Sequence, residues 1–280
     1  MIKKSMYTSP FGNAGWHSNN RDKLIEDVKQ FCTHHDYDGF VSALISPHAG
    51  YKYCGHICGH AFGATKHQSF EHIIIIGPSH HEYLKNRYCI PSAIEMTTEI
   101  GSSSINKSFL SKFKKDKRST VNNIIFEKEH SIWMMLPFIH YLHPNATISP
   151  IIIGNLEKET TINIANIIQP ELNETTLLIV SSDFTHYGKA FNYTPFLGHI
   201  PNEIFKLDEH ALNLIKEKKN TEFWNWFHEN ETTICGRYAI SILLECLTNQ
   251  KIVSNQYFQS GELSSDWSHS VSYQSVVFGL

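Results

Sequence analysis

Four consecutive isoleucines, residues 73–76, form an apolar run with no polar alternation. A strand that is buried on both faces has this pattern, and such strands belong to parallel sheets covered by helices. Gly77 and Pro78 follow directly and are predicted to end the strand, because proline lacks the N–H group that a sheet ladder needs. The sequence therefore predicts a fully buried central strand that delivers Ser79, His80 and His81 to its carboxyl end.

Further apolar runs alternate with segments that carry apolar residues at helical spacing. The other predicted strands span residues 41–46, 87–94, 147–153, 175–182, 251–259 and 270–279. The predicted helices span residues 55–64, 104–115, 129–141, 157–168, 202–218 and 221–229, with a last one ending near residue 247. This alternation predicts an α/β fold. Since no repeat, low-complexity tract or linker interrupts it, we predict one domain over residues 1–280.

Ionisable side chains follow three of the predicted strands. They are His48, His80, His81, Asp183 and His186. Because ligands of open α/β sheets bind outside the carboxyl ends of the strands, we expect these side chains to share a site. The spacing does not decide which histidine of the adjacent pair points into it. His130, at the head of the predicted helix 129–141, either faces this site or hydrogen-bonds within the core.

Cys235 stands just before a predicted helix, with Arg237 nearby. A cysteine at a helix N-terminus is favoured as the thiolate, the form that a metal ligand or a nucleophile needs. Cys246 lies in the apolar half of the same helix and is predicted to be inert core. Cys54 and Cys58 are four residues apart on one helix face, but a structural zinc site needs four ligands, so packing explains this pair better.

Composition and charge exclude several classes of protein. A net charge of -3 argues against a nucleic-acid or anionic-membrane partner. No apolar run approaches the roughly 20 residues that a membrane span needs. The basic N-terminus has no apolar segment behind it, so we expect no signal peptide. Six scattered cysteines are typical of reduced thiols, and we expect a cytoplasmic protein; its oligomeric state stays open.

Motifs along nearly the whole chain resemble, in order, the signatures of the Memo family. They are Ser46-Pro47-His48-Ala49-Gly50-Tyr51, Tyr53-Cys54-Gly55, Gly77-Pro78-Ser79-His80-His81, Glu129-His130-Ser131-Ile132, Ser181-Ser182-Asp183-Phe184-Thr185-His186, Ile234-Cys235-Gly236-Arg237 and Ser270-Val271-Ser272-Tyr273. That family includes the animal mediator of ErbB2-driven cell motility and prokaryotic relatives in the AmmeMemoRadiSam gene group.

The resemblance implies a three-layer α/β fold similar to class III extradiol dioxygenases, with a mixed central sheet and helices on both faces. It also implies a metal pocket with His48, His80 and Cys235 as ligands, so it selects the first histidine of the adjacent pair. Donor atoms that bind one ion should lie within about 4 Å of one another. In catalytic roles we expect Asp183 and His186. As further pocket-lining residues we expect Tyr51, His81, His130 and Arg237.

Two segments depart from the family pattern. Where the family has His-Ala-Gly-Ser-Trp-Tyr, this chain has Asn13-Ala14-Gly15-Trp16-His17, which is shorter and lacks the leading histidine. Trp133 replaces the second acid of the family's Glu-His-Ser-Ile/Leu-Glu motif. Both changes leave the three implied ligands intact. They bear on proton transfer and on the shape of the pocket mouth.

Four hypotheses of function follow from these residues. The first is a metal-dependent redox protein, with iron or copper favoured over zinc for two imidazoles and a thiolate. The second is a ring-cleaving dioxygenase, which is weakened because a thiolate replaces the carboxylate of the facial triad. The third is a zinc hydrolase with Asp183 or His186 as general base. The fourth is a non-enzymatic adaptor that receives a (phospho)peptide in the pocket. We favour a metal-binding Memo-like protein whose pocket partner is a small molecule or a peptide.

Overall fold

The structure is a computed structural model that describes residues 6–33 and 37–280. Its strands are β1 (Met6–Thr8), β2 (Val41–Ser46), β3 (His72–Pro78), β4 (Tyr88–Ile90), β5 (Glu95–Thr98), β6 (Gly101–Ser104), β7 (Ser119–Val121), β8 (Thr147–Ile153), β9 (Thr176–Ser181), β10 (His186–Gly188), β11 (Lys251–Gln259) and β12 (His269–Gly279). Its α-helices are α1 (Arg21–Phe31), α2 (Tyr51–Gly63), α3 (Lys107–Ser111), α4 (Asn123–Lys128), α5 (His130–Trp133), α6 (Leu136–Leu142), α7 (Lys158–Ile168), α8 (Ile200–Lys216), α9 (Asn220–Glu229), α10 (Arg237–Cys246) and α11 (Ser260–Ser264).

One large mixed sheet organises the described part of the chain. Its nine strands run in the order β10-β12-β2-β9-β3-β8-β4-β7, with β11 also paired to β12. The central strands β2, β9, β3 and β8 are parallel to one another, whereas β12 and β4 pair antiparallel to them. The short strands β1, β5 and β6 form a separate sheet. The mixed central sheet implied by the family resemblance is confirmed.

Strand β3 is buried along its whole length, and the isoleucines at 73–76 have no exposed surface. Helix α2 packs against β2 and β12, while α10 packs against β3 and β9. Helices therefore flank the sheet, and the three-layer α/β prediction is confirmed. This burial explains the unbroken apolar run, since no position of such a strand faces water.

Several element boundaries differ from the predictions. The predicted helix 129–141 is two helices, α5 and α6, and Pro137 lies in the first turn of α6, where its missing N–H costs least. Helix α2 begins at Tyr51, four residues before the predicted start at residue 55. The predicted helix 104–115 is only the short α3 followed by a 3₁₀ turn at Lys112–Lys115. In the segment 87–94, the strand covers only Tyr88–Ile90.

Among the described residues, no helix combines the length and apolar character required to cross a bilayer. The signal-peptide prediction depends largely on residues 1–5, which lie outside the described residues.

Candidate metal centre

Three adjacent parallel strands carry ionisable side chains to one edge of the sheet. Strands β2, β9 and β3 lie side by side in that order. His48, Asp183 and His80 each stand two residues beyond the end of their strand. Because the carboxyl ends of neighbouring parallel strands meet at the same edge, these side chains lie in one region.

Cys235 reaches this edge from the loop before α10. The N–H of Gly236 donates to Ser182 Oγ at 3.0 Å, and a Cβ at Gly236 would lie only 2.4 Å from Ser182 Cβ. Glycine is therefore needed for the loop to approach the end of β9 so closely. As a result, Cys235 Sγ lies 3.3 Å from His48 Nε2 and accepts the N–H of Asp183 at 3.2 Å.

The donor atoms of His48, His80 and Cys235 all lie within 4.8 Å of one another. This limit is wider than the spacing of about 4 Å expected for ligands of one ion. His48 is buried, Cys235 is half-buried, and the His80 side chain is 27% exposed. The group could therefore hold a metal ion, with its exposed side formed by His80 and Cys235.

Hydrogen bonding fixes the tautomer of His48. Ser181 Oγ donates its only proton to the Ser131 carbonyl oxygen at 2.5 Å. The hydroxyl must therefore accept at its 2.7 Å contact with His48 Nδ1, so Nδ1 carries the imidazole proton. Nε2 then keeps the lone pair that a metal ligand needs, and it is the nitrogen beside Cys235 Sγ. Burial, followed by the neighbouring histidines, lowers the pKa of His48 well below its usual value, so the ring is neutral.

A buried carboxylate orients His80 in the same way. Glu129 accepts His80 Nδ1–H at 2.8 Å and the His80 backbone N–H at 2.6 Å. Burial opposes a charge on His80, but the hydrogen bonds and charges of Cys235 and Glu129 outweigh it and raise the pKa of His80 to about 10. Burial also opposes ionisation of Glu129, yet the contacts with His80 hold the pKa of this carboxyl below its usual value. Nε2 of His80 is thus left for a metal ion, which must displace a proton to bind there.

Asp183 holds the loop that carries His48. Its Oδ1 accepts the backbone N–H of His48 at 2.8 Å. Burial raises the pKa of Asp183 to about 6, against the opposing effect of hydrogen bonds from the backbone of His48 and Ala49. Within the described residues, Asp183 belongs to neither group of side chains that could hold a metal ion. Its contacts therefore position a donor residue.

His186 also lies beside the centre without joining it. Its Nδ1 is 2.9 Å from the carbonyl oxygen of Phe184 and 3.1 Å from that of Thr233. Because both partners are acceptors, Nδ1 carries the proton and Nε2 keeps a lone pair. Burial lowers the pKa of His186 to about 4, so the ring is uncharged at neutral pH and Nε2 can accept a hydrogen bond.

The structure places His130 against the donor residues. Its ring stacks on His80 with centroids 4.4 Å apart and lies 4.7 Å from the ring of Trp16. His130 Nδ1 is 3.5 Å from Glu129 Oε1. Burial and the charge of His80 lower the pKa of His130 to about 3. His80, Glu129 and His130 form a second group whose donor atoms lie within 4.8 Å and could hold an ion.

Two clefts of about 380 and 410 Å³ open beside the centre. The first is lined by residues that include His80, His186, Cys235 and Arg237. The second is lined by residues that include Trp16, His130, Asp183 and His186. Because His186 and Phe191 line both, they stand where the two clefts meet.

Three positions behave differently from the expectations. Tyr51 is not among the residues that line these clefts, because its hydroxyl donates to the Met134 carbonyl oxygen at 2.8 Å and its ring is buried. His81 lines a third cleft of about 270 Å³, which adjoins the first and is also lined by His80. Trp133 is fully buried and donates from Nε1 to the Phe126 carbonyl oxygen at 2.6 Å. Trp133 therefore fills the core, whereas Trp16 lines the second cleft.

Sequence reasoning missed the roles of Glu129 and Ser181. In the sequence, Glu129 stands out only as the first residue of the Glu129-His130-Ser131-Ile132 motif, and its side chain also accepts the Ser131 N–H at the start of α5. An acid directly before a histidine and a serine was a usable signal. Ser181 ends an otherwise apolar strand, and a polar residue at that point was a weaker signal.

Together, the fold and the site define an α/β protein with imidazole and thiol donors grouped at the carboxyl ends of parallel strands. Residues 11–277 match the profile of the family described as "Memo-like protein", and the chain belongs to that family. It is 31% identical over 259 residues to the "Protein memo-1 homolog" of Caenorhabditis elegans, covering 85% of this chain and 73% of the relative. It is 30% identical over 248 residues to "Protein MEMO1" of Homo sapiens, covering 82% of this chain and 83% of the relative. A MEMO1 family protein of Schizosaccharomyces pombe is 26% identical to it over 297 residues, covering 94% of this chain and 96% of the relative.

Proposed function

We propose that this chain binds a transition-metal ion through Nε2 of His48, Nε2 of His80 and Sγ of Cys235. One observation carries the proposal: hydrogen bonds to Ser181 and Glu129 engage Nδ1 of both rings and turn Nε2 toward the sulfur, with a lone pair on His48 and a proton on His80 that a metal ion would displace. A carboxylate or hydroxyl behind each ligating histidine is the usual arrangement in metal sites, because it fixes the tautomer and the ring orientation.

The donor set suits iron, copper and zinc, and we propose iron or copper as the resident ion. Imidazole suits zinc, copper and iron, and the thiolate adds a soft ligand that favours copper(I) or zinc. An iron or copper ion would supply a one-electron couple at the edge of the two clefts. We therefore propose a metal-dependent redox protein in a reducing cytoplasm, where its six free cysteines remain thiols.

Groups of the protein bind the occupant of the clefts and position the ligands. His186 Nε2 accepts a hydrogen bond from a molecule bound in either cleft, since both clefts are lined by this ring. Asp183 keeps the His48 loop in place through the backbone N–H of His48. Ring cleavage is not part of the proposal, because a thiolate stands where non-haem iron oxygenases carry a carboxylate.

Elemental analysis of protein purified without an affinity tag tests the proposal. We expect iron or copper in the native chain, and loss of most of it in Cys235→Ser, with the melting temperature nearly unchanged. Cys246→Ala is the matched control, because Cys246 is buried in α10 away from the donors and should retain the metal. Full occupancy in Cys235→Ser would contradict the ligand assignment. Zinc alone in the native chain would rule out the redox role and favour hydrolysis.

An adaptor that binds a peptide is the second candidate. It is supported by the two neighbouring clefts that share His186 and Phe191 in their lining, because together they offer more contact surface than one cleft. Peptide capture by the purified protein should then persist when a chelator removes the metal. Capture that disappears on chelation would instead make the metal part of the binding site.

A further inference from the structure

The first cleft is free of acidic side chains. Among the described residues, its lining includes no aspartate and no glutamate. A surface open to water in a chain with more acidic than basic residues ordinarily carries both signs of charge. The cleft therefore lacks carboxylates directly beside Cys235 and His80.

Arg237 supplies a fixed positive charge in this cleft. Its Nη1 donates to the Ile234 carbonyl oxygen at 3.0 Å, and its guanidinium carbon lies 5.0 Å from the ring centroid of Tyr238 and 5.9 Å from that of Phe227. These contacts hold the planar group in one orientation. Within the described residues the guanidinium forms no ion pair with a carboxylate, so its remaining N–H groups are available to a ligand.

Thr232 adds a hydroxyl group without a partner. The residue lines the same cleft and is only 6% exposed. Its Oγ1 is buried and has no hydrogen-bond partner among the described residues. A buried hydroxyl without a partner is unfavourable in a folded protein unless something else completes its hydrogen bonding. A ligand in the cleft would do so.

The N-terminus of α10 faces the same region. This ten-residue helix has Gly236 at its N-cap position, no side-chain cap and no acidic residue in its first turn. The Gly236 N–H donates to Ser182 Oγ and the Arg237 N–H to the Ile234 carbonyl oxygen, but no acidic side chain of the first turn neutralises the positive end of the helix dipole. Tyr238, in the first turn, lines the cleft together with Arg237. Uncapped helix N-termini of this kind bind anions.

We propose that the first cleft binds the oxyanion of a small substrate, a carboxylate or a phosphate group, through Arg237, Thr232 and the N-terminus of α10. This rests on the proposed function and deepens it, because it assigns a charge class to the molecule that is held beside the metal ligands. Arg237 and Thr232 are specificity-determining residues in this assignment, and neither supplies a metal donor atom.

Calorimetric titration with inorganic phosphate and with benzoate tests the assignment. We expect at least one of these anions to bind the native protein, and Arg237→Gln to weaken that binding by at least about tenfold, the effect of losing a charge-assisted hydrogen bond. Arg237→Lys should restore only part of the affinity, because it keeps the charge and loses the planar fork. Arg21→Gln, at an exposed position paired with Asp22, is the matched control and should bind like the native protein.

Thr232→Val separates a binding role from a structural one. Valine fills nearly the same volume without the hydroxyl, so anion binding should weaken. Without an anion, the variant should be at least as stable as the native protein, because a hydroxyl without a partner has been removed. Unchanged anion affinity in both Arg237→Gln and Thr232→Val overturns the proposal, as does the absence of binding of both anions to the native protein.

Metal content measured on the same samples distinguishes the two proposals. Bound metal without anion binding would overturn only the anion assignment. Anion binding without metal would overturn only the metal assignment. If Arg237→Gln also loses metal, Thr232→Val decides the matter, because its hydroxyl contacts neither Cys235 nor the two histidines.

Discussion

Glu129→Gln tests whether a hydrogen-bonded carboxylate prepares His80 for a metal ion. The native carboxylate accepts three N–H groups: Nδ1–H of His80 at 2.8 Å, the His80 backbone N–H at 2.6 Å and the Ser131 N–H at 3.2 Å. A glutamine amide has one oxygen and one NH₂ group, so in either orientation an NH₂ group meets a donor. If the NH₂ group faces His80 Nδ1, the imidazole proton moves to Nε2 and the lone pair needed for the metal is lost.

The size of the effect follows from burial. The Glu129 side chain has no exposed surface, so water cannot replace the lost acceptor. A buried donor without a partner costs about 1–3 kcal/mol, and we expect the free energy of unfolding of the metal-free protein to fall by that amount. Loss of the group that orients a ligating histidine typically weakens metal affinity by about 10–100-fold, and we expect a change in that range.

Competition with a coloured chelator measures the metal affinity, and urea denaturation of the metal-free protein measures the stability. Glu203→Gln is the control, because it removes a carboxylate from an exposed ion pair with Lys206 on α8. We expect it to change neither quantity appreciably, since such surface pairs contribute about 0–1 kcal/mol.

Two outcomes would refute the reasoning about Glu129. Native metal affinity in a folded Glu129→Gln protein would show that this carboxylate does not set the tautomer of His80. A loss of stability with no loss of affinity would restrict Glu129 to supporting the fold.

Two further predictions concern stability. Burial lowers the pKa of His140 to about 4, so the unfolded chain takes up a proton first as the pH falls through about 6.5, and stability is lost from there down to about pH 4. His140→Asn can keep the contact with Thr98. Between pH 7 and pH 5, the free energy of unfolding of this variant, measured by urea denaturation, should fall by about 2 kcal/mol less than that of the native protein. The same pH dependence in both proteins would refute this prediction. Gly59→Ala would place a Cβ 2.2 Å from the backbone oxygen of Phe31, so thermal denaturation should reveal a loss of about 1–3 kcal/mol. Gly198→Ala, with nothing within 4 Å, should be nearly neutral, and equal effects of the two changes would contradict the packing argument.

Local pattern alone determined the position of the central strands. The runs at 41–46 and 147–153 coincide with β2 and β8, and the run at 175–182 exceeds β9 by one residue at each end. A strand that is covered on both faces must be apolar at nearly every position, so its composition identifies it without tertiary information. The local pattern determined the helix boundaries less well than the strand positions, because packing against the sheet decides where a helical segment stops. The predicted helix 129–141, which is divided into α5 and α6, is the example.

The strand ends also allowed the sequence to indicate a shared site, and the family motifs selected His48, His80 and Cys235. Only the tertiary structure decided which ring nitrogen of each histidine is left for a ligand. That choice depends on Ser181, which is 133 positions from His48, and on Glu129, which is 49 positions from His80. No local pattern encodes such contacts, because the order of the strands and the packing of α5 against β3 bring the partners together.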